Sequence, residues 1–324
     1  MMVRSLAENS GIGSQSDLRV SPTEETILKV EQARQKEDNI SRIGTWNIRT
    51  MLRCGKLENV KMEMKRMKIN ILGLAETRWP QDGDFWSGDY RVIHTGTSPD
   101  RPGQAGVAIV LDKSMGRRVT GYVQYSERIL LVNVETKPKN TVLVQMYMPT
   151  TEYEDEEVES VYDSVEELIR GVKGDENLIV MGDMNAVVGE GRCGGVAGMH
   201  GLGRRNERGD MLVQFCTRNN LVISNTFFKH HPRRRYTWRG PGDRSRYQID
   251  YILMKDKFKN QCKDSRSYPG ADADSDHNLV MAKCCWKFKR LQRTKSTKLQ
   301  VHRLRDGEVA RDFEREMETR MGGG

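Results

Sequence analysis

The feature that most constrains this chain is a repeated unit: a short apolar run that ends abruptly in polar side chains. The clearest copy is Leu178–Ala186, LIVMGDMNA. Leu178 to Met181 read as a buried strand, Gly182 is expected to turn the chain, and Asp183 and Asn185 follow with one residue between them. The period-two geometry of a strand end sends those two side chains to one side. By itself this is also how a strand followed by an Asx-rich turn looks. The pattern recurs, however. Ile43–Ile48 (IGTWNI) carries Asn47 near its end, Ile69–Ala75 (INILGLA) runs into Glu76, and Thr141–Tyr147 closes on Tyr147-Met148-Pro149. Short apolar strands of this kind, buried on both faces, require covering layers.

Helical periodicity supplies those layers. Leu57–Met67 has helical spacing after Gly55, and Val158, Val161, Tyr162, Val165, Leu168 and Ile169 share one face. The acidic run Glu152–Glu159 suits a helix N-terminus and a solvated face. Asn206–Asn219 reads as a third helix. The order strand, helix, strand indicates an α/β layered fold. Further strands are expected at Tyr90–His94, Gly106–Leu111, Arg128–Val134 (a hairpin with Thr141–Tyr147 around Lys137–Asn140), Leu221–Ser224 and Asn278–Cys284. Asp82–Ser98 is expected to be rich in loops. The glycine-rich stretch Gly189–Gly203 contains GEGRCG, but no helix opens on those glycines. A dinucleotide site is therefore rejected in favour of a mobile loop beside the site.

Arg246–Met254, RYQIDYILM, reads as a strand with Asp250 in its middle, on the same face as Ile252. A carboxylate among apolar neighbours is costly unless paired. Its partner is expected in Ser275-Asp276-His277, with Asp250 holding one imidazole nitrogen so that the other faces a substrate. Asn47, Glu76, Tyr147, Asp183, Asn185, Asp250, Asp276 and His277 thus form a constellation without a thiol or serine nucleophile. Its oxygen donors suit a hard cation such as Mg²⁺ with substrate phosphate, and the matching chemistry is attack of water on a phosphodiester.

Net charge is +8 over 324 residues, which favours an anionic partner. Lys229–Arg239, KHHPRRRYTWR, interleaves basic residues with aromatics. Arg233, Arg234, Arg235, Tyr236 and Trp238 are candidate DNA contacts, gripping phosphates and stacking on bases; an exposed basic loop with a half-buried Trp has the same composition. No apolar run approaches the roughly 18 residues of a membrane span. The N-terminus lacks an apolar signal core, and the six cysteines form no CxxC pair or zinc spacing, so reduced intracellular thiols are expected. Residues 1–40 read as a disordered polar leader with a short helix at Glu24–Lys36, residues 41–287 as the folded domain, and residues 288–324 as a basic helical tail.

Six motifs, in order, resemble the endonuclease/exonuclease/phosphatase superfamily: TWN at Thr45–Asn47, LAETR at Leu74–Arg78, YMP at Tyr147–Pro149, GDMN at Gly182–Asn185, QIDYIL at Gln248–Leu253 and SDH at Ser275–His277. NERG at Asn206–Gly209 and YTW at Tyr236–Trp238 are most similar to the endonuclease domain of RTE/BovB-type non-LTR retrotransposons and its domesticated copies. The tail resembles the start of the linker that precedes reverse transcriptase in such elements. The resemblance implies a four-layered α/β sandwich, two mixed β-sheets packed face to face with helices outside. It also implies Mg²⁺ (or Mn²⁺) on Glu76, with Asn47 and Asp276 nearby, and Asp183 orienting or deprotonating water. Asn185 and His277 would donate to the phosphate, Asp250 would fix His277, and Tyr147 would contact the phosphate. The chain departs from AP-endonuclease-like members in carrying Arg49 where these often have an acid, which argues against a second metal contact. The expected activity is single-strand nicking of DNA that leaves a 3′-hydroxyl, by a nuclear monomer. The alternatives are a phosphatase or phospholipase of the same superfamily, and a domesticated binding module whose site is intact but unused.

Overall fold

The computed structural model describes residues 40–97 and 103–286, and in the C-terminal segment Gly307, Glu308, Arg311, Asp312 and Arg315, all five helical. The chain divides into two units, Met1–Lys287 and Phe288–Gly324. Residues 1–39 of the expected leader and most of the expected basic tail lie outside the described residues, and Ile40 already belongs to the first strand.

The first sheet is built from β1 (Ile40–Asn47), β2 (Ile71–Ala75), β3 (Gly83–Ser87), β4 (Tyr90–His94) and β5 (Val107–Asp112). The second takes β6 (Val119–Ser126), β7 (Ile129–Val134), β8 (Thr141–Tyr147), β9 (Asn177–Asp183) and β10 (Leu221–Ile223). A ribbon of β11 (Trp238–Arg239) and β12 (Arg246–Tyr247) precedes β13 (Asp250–Lys255), which joins the second sheet. The chain then returns to the first sheet with β14 (Cys262–Tyr268) and β15 (Leu279–Cys285). The strand orders are β14-β15-β1-β2-β5-β4-β3 and β10-β13-β9-β8-β7-β6. Each sheet has a single parallel pair, β1/β2 in one and β8/β9 in the other, flanked by antiparallel neighbours. A parallel pair needs a crossover. These are α1 (Lys56–Met67) between β1 and β2 and, later in the chain, the helix Asp155–Arg170 between β8 and β9.

Four layers follow from which face each strand buries. Ile43, Ile71, Ile109, Val132, Leu143, Ile179, Met181 and Ile252 form the core between the sheets. Trp46, Leu72, Leu74 and Val110, on the opposite face of the first sheet, are covered by Val60 and Met64 of α1. The short helix α2 (Lys113–Gly116) follows β5, and the long crossover Asp155–Arg170 is α3. Val158, Tyr162 and Val165 of α3 and Leu212 and Phe215 of α4 (Glu207–Arg218) cover the second sheet through Val144, Val180 and Leu253. The architecture is the two-sheet sandwich with helices outside that the motifs imply. Asn206 caps α4, its Oδ1 accepting from Gly209 N at 2.9 Å.

Three local expectations are corrected. Gly182 does not turn the chain; it stays in β9 at φ 153°, where a Cβ would lie 1.8 Å from Met146 O. The glycine serves close approach of β8 and β9, and the chain leaves the sheet only after Asp183. Asp250 opens β13 and is not in the middle of a continuous strand, because Thr237 Oγ1 accepts from the amides of both Ile249 (2.9 Å) and Asp250 (3.0 Å). The Gly189–Gly203 segment is anchored at its ends, with Gly201 against Gly189 O and Arg235 Nη1 donating to Gly201 O at 2.8 Å, while Gly191, Gly194 and Gly195 between them have open space around them.

Candidate active site

The C-terminal ends of the two parallel pairs meet. Asn47 and Glu76 end β1 and follow β2; Tyr147 and Asp183 end β8 and β9 and are register partners. On the other side of β9, Asp250 pairs in register with Asp183. Asn47 joins the sheets: its Nδ2 donates to Glu76 Oε1 at 2.8 Å and to Asp183 Oδ2 at 2.9 Å. Tyr147 Oη donates to the same Glu76 oxygen at 3.1 Å, and Arg78 Nη2 donates to Glu76 Oε2 at 2.6 Å. Burial pushes the Glu76 carboxyl up, but the donors Asn47 and Arg78, the Arg78 charge and Tyr147 outweigh it and hold the acid below its ordinary range. Burial, followed by the charges of Glu76 and Asp183, pushes the Tyr147 phenol far up, so it remains a donor.

His277 precedes β15. Trp46 Nε1 donates to its carbonyl at 2.9 Å, and its amide donates to Ser275 Oγ at 3.1 Å. His277 Nδ1 is 3.0 Å from Asp250 Oδ2, and Nε2 is 3.9 Å from Asp183 Oδ2. Burial alone would depress this imidazole. The charge and hydrogen bond of Asp250, then the charges of Asp183 and Asp276, raise it to about 9. Burial and the Asp250 charge push Asp183 up to about 7, against the opposing pull of His277 and Asn47. The row Asp250–His277–Asp183 is therefore a buried chain in which protons are held between acids and base.

Asp183 Oδ1 accepts from the Asn185 amide at 3.0 Å, and Asn185 Nδ2 donates to Met148 O at 2.8 Å. One amide hydrogen of Asn185 is thus committed to the backbone. Asp276 Oδ2 accepts from Arg49 Nη1 and from Trp238 Nε1, both at 3.0 Å. Asp276 Oδ1 and Asp250 Oδ1 are buried with no partner among the described residues. Positive φ angles at Arg49 (53°), Glu76 (54°), Arg78 (60°) and Asn185 (44°) cluster here, at residues that L-chemistry seldom places in that region.

All eight expected site residues are brought together, and Glu76, Tyr147, Asp183, Asn185, Asp276 and His277 line an open cleft of about 710 Å³. Of the five candidate DNA contacts, Arg233 and Arg234 are exposed. Arg235 instead pairs with Glu190 at 2.9 Å, and Tyr236 is buried beneath Arg246, its ring 4.8 Å from that guanidinium. Neither matches the open stacking surface expected from sequence, because the 232–236 turn packs inward. Trp238 lines the cleft, locked by its bond to Asp276 and stacked on Tyr247 at 5.9 Å. Arg49, Arg78 and Tyr247 also line the cleft, and the sequence reading gave them no role. Arg78 lies inside LAETR, which would have flagged it; Tyr247 belongs to the separate ribbon of β11 and β12, and no signal in the sequence marks it.

Glu76 and Asp276 supply oxygen donors at the cleft. Separately, Asp183, Asp250 and His277 place one donor atom each within 4.8 Å of one another, a group able to hold a metal ion.

Comparisons with known proteins agree with this geometry. The sequence profile of the Endonuclease/Exonuclease/phosphatase family matches residues 44–277. Craniofacial development protein 2 of Bos taurus is 38% identical over 252 residues, 78% of this chain and 42% of that protein. The chain therefore spans less than half the length of this curated relative. The AP endonuclease LMAP from Leishmania major superposes with a TM-score of 0.61 at 13% identity, over 79% of this chain and 91% of that one. The endonuclease domain of TRAS1, a telomere-specific non-LTR retrotransposon, gives a TM-score of 0.54 at 17% identity, over 76% and 98%. Six ordered motifs, the sandwich and the profile match lead to one conclusion: the chain belongs to the endonuclease/exonuclease/phosphatase family.

Proposed function

We propose that this protein is a divalent-metal-dependent DNA endonuclease that nicks one strand and leaves a 3′-hydroxyl. The observation that carries the reading is the buried chain Asp250–His277–Asp183 opening onto a cleft lined by Glu76 and Asp276. Asp183 orients the attacking water and accepts its proton; its raised affinity for protons, near pH 7, fits a general base. His277, held as an imidazolium by Asp250, and Asn185, through its remaining amide hydrogen, donate to the phosphate as charge develops. Tyr147, whose hydroxyl donates to Glu76 Oε1 in this structure, would add a third donor at the Glu76 end of the cleft.

The donor set fits a hard cation. Asp276 Oδ1 is a buried oxygen without a partner among the described residues, and Glu76 is held ionised. Glu76, Asp276 and the Asn47 amide oxygen would hold Mg²⁺, with Mn²⁺ as a substitute. When bound, the ion supplies neutralising charge for the phosphate oxygens. The Asp183, Asp250 and His277 group fits less well, since Asp250 and His277 already satisfy each other.

DNA as substrate is supported by the +8 charge, by exposed Arg233 and Arg234, and by an aromatic wall of Trp238 and Tyr247 beside the cleft. The motif resemblance and the likeness to the TRAS1 domain support a retrotransposon-derived chain. We further propose a monomer, with which a site completed within one chain is compatible, and residence in the nucleus, where a DNA substrate would lie. The test is conversion of supercoiled plasmid to open circles with Mg²⁺ and with EDTA, for wild type and His277→Ala. Nicking by wild type with Mg²⁺ alone supports the reading. A folded wild type that does not nick overturns it and leaves the binding-module and phosphatase readings.

A further inference from the structure

Glu76 and Asp276, the two carboxylates that face the cleft as hard-cation donors, are each closed by a guanidinium. Arg78 Nη2 makes the hydrogen bond on Glu76 Oε2 at 2.6 Å, while Asn47 and Tyr147 both use Oε1. Arg49 Nη1 lies 3.0 Å from Asp276 Oδ2. Neither arginine is fully satisfied or sealed in. Arg78 Nε is buried with no partner among the described residues, its side chain is 34% exposed, and that of Arg49 is 56% exposed. The Arg49–Asp276 pair is open enough to water to be weak; the Arg78–Glu76 pair is more enclosed, the Glu76 side chain being 13% exposed, so it takes a competing charge as strong as a divalent cation to displace it.

Their backbones, in contrast, are fixed. Arg49 and Arg78 follow adjacent parallel strands and both have left-handed φ. The Arg49 amide donates to Asn47 Oδ1 at 3.0 Å, and the Arg78 amide donates to Ala105 O at 2.9 Å. Each guanidinium can let go of its carboxylate without leaving the cleft. The cleft itself needs that. Its lining includes Glu76, Glu152, Asp183 and Asp276, so an incoming phosphate meets acids unless cations are placed between.

We propose that Arg49 and Arg78 are exchange clamps. In this structure they hold Asp276 and Glu76; those carboxylates would be the ones to hold a divalent cation, and the guanidiniums, exchanged off them, would grip the phosphates that flank the one being cleaved. The planar fork of arginine matches phosphate oxygens as well as it matches a carboxylate. The class of substrate follows: a strand with phosphodiesters on both sides of the reacting one, as opposed to an isolated phosphate ester. This inference rests on the nuclease reading for its substrate, but its test needs no turnover.

Mn²⁺ affinity is measured by electron paramagnetic resonance for wild type, Arg49→Ala and Arg78→Ala. Affinity for a labelled DNA duplex is measured by fluorescence anisotropy with Mn²⁺ present, each arginine variant being placed in a His277→Ala background so that the duplex stays whole. Removing either arginine removes a competitor for the metal and a grip on the strand. Mn²⁺ binding is expected to tighten by roughly tenfold and duplex binding to weaken by roughly tenfold. Arg78→Lys should recover part of the duplex affinity. If an alanine variant loses the wild-type circular dichroism, Arg78→Gln, which keeps the bulk, carries the same expectation. Unchanged or weaker Mn²⁺ binding, or unchanged duplex binding, overturns the proposal. Plasmid nicking run beside these measurements separates the two readings. Opposite shifts with a wild type that does not nick keep the clamps and discard the nuclease; a nicking wild type without the opposite shifts does the reverse.

Discussion

Gly182→Ala should damage the site through the backbone. A Cβ at this position would stand 1.8 Å from Met146 O and 2.8 Å from Met146 C, both main-chain atoms of the neighbouring strand. An ordinary contact begins at 3.4 Å, so β8 and β9 must part by more than 1 Å beside the pair of Tyr147 and Asp183. The hydrogen bond Met148 N to Asp183 O, 2.9 Å long, lies in the path of that displacement. Losing about two ladder hydrogen bonds at roughly 1 kcal/mol each, with about 1–3 kcal/mol for a φ that only glycine adopts freely, gives a cost of about 3–5 kcal/mol. A domain of this kind holds about 5–15 kcal/mol, so the variant should fold with a much lower urea midpoint. A shift of about 1 Å in Asp183 should cost roughly a hundredfold in nicking. The measurement is a urea titration followed by circular dichroism, with plasmid nicking on the same sample. Gly55→Ala is the control: its φ is 77°, but nothing lies within 4 Å of the added carbon, so only backbone strain of about 1 kcal/mol is expected and nicking is kept. If Gly182→Ala matches Gly55→Ala in both assays, the argument from strand approach is wrong.

Asp250→Asn leaves His277 Nδ1 without its anionic partner, and nicking should fall by about a hundredfold with the fold retained; activity within a few-fold of wild type would remove Asp250 from the mechanism. His94 packs its ring 4.3 Å from Trp79, and burial depresses it, offset only in part by Thr95 and Asp82. The unfolded chain takes up that proton first, so the associated stability is present above about pH 6.5 and lost as pH falls through and below it. The urea midpoint of His94→Phe should then fall less than that of wild type on acidification, and equal falls would refute the assignment. Arg234→Ala removes an exposed charge and should reduce the slope of log affinity for DNA against log salt by about one phosphate's worth; an unchanged slope places the DNA elsewhere.

Much of this was legible because the strands that build the centre are apolar on both faces. Thr141–Tyr147 lies where its side chains place it, every residue of it buried. The pairing of Asp250 with His277 followed from a carboxylate that had to find a partner. The edge strands were illegible for the converse reason. β14 reads CKDSRSY, and its inward positions include Ser265 and Ser267, whose small polar side chains give no apolar alternation. β6 leaves Tyr122, Val123 and Tyr125 exposed, and β3 is only five residues long in a stretch that composition marks as loop. At the site, the pairs Arg49–Asp276 and Arg78–Glu76 and the bond from Trp238 to Asp276 depend on which strand ends lie side by side. Spacing along the chain carries no trace of the links that join Asp276 to Arg49 and Trp238.

The pairing of β1 with β15 sets the order in which the candidate site can be assembled. Ile40 stands opposite Cys285, so the first strand of the domain waits for the last to complete its sheet. His277 arrives with that last strand, fixed by the indole of Trp46 from the first. A chain made from its N-terminus holds Asn47, Glu76, Tyr147 and Asp183 long before it holds the imidazole. On the proposed reading, the site is armed only once the last strand of its own sheet has been made, and a domain stopped short of that strand carries the acids of the site without its imidazole.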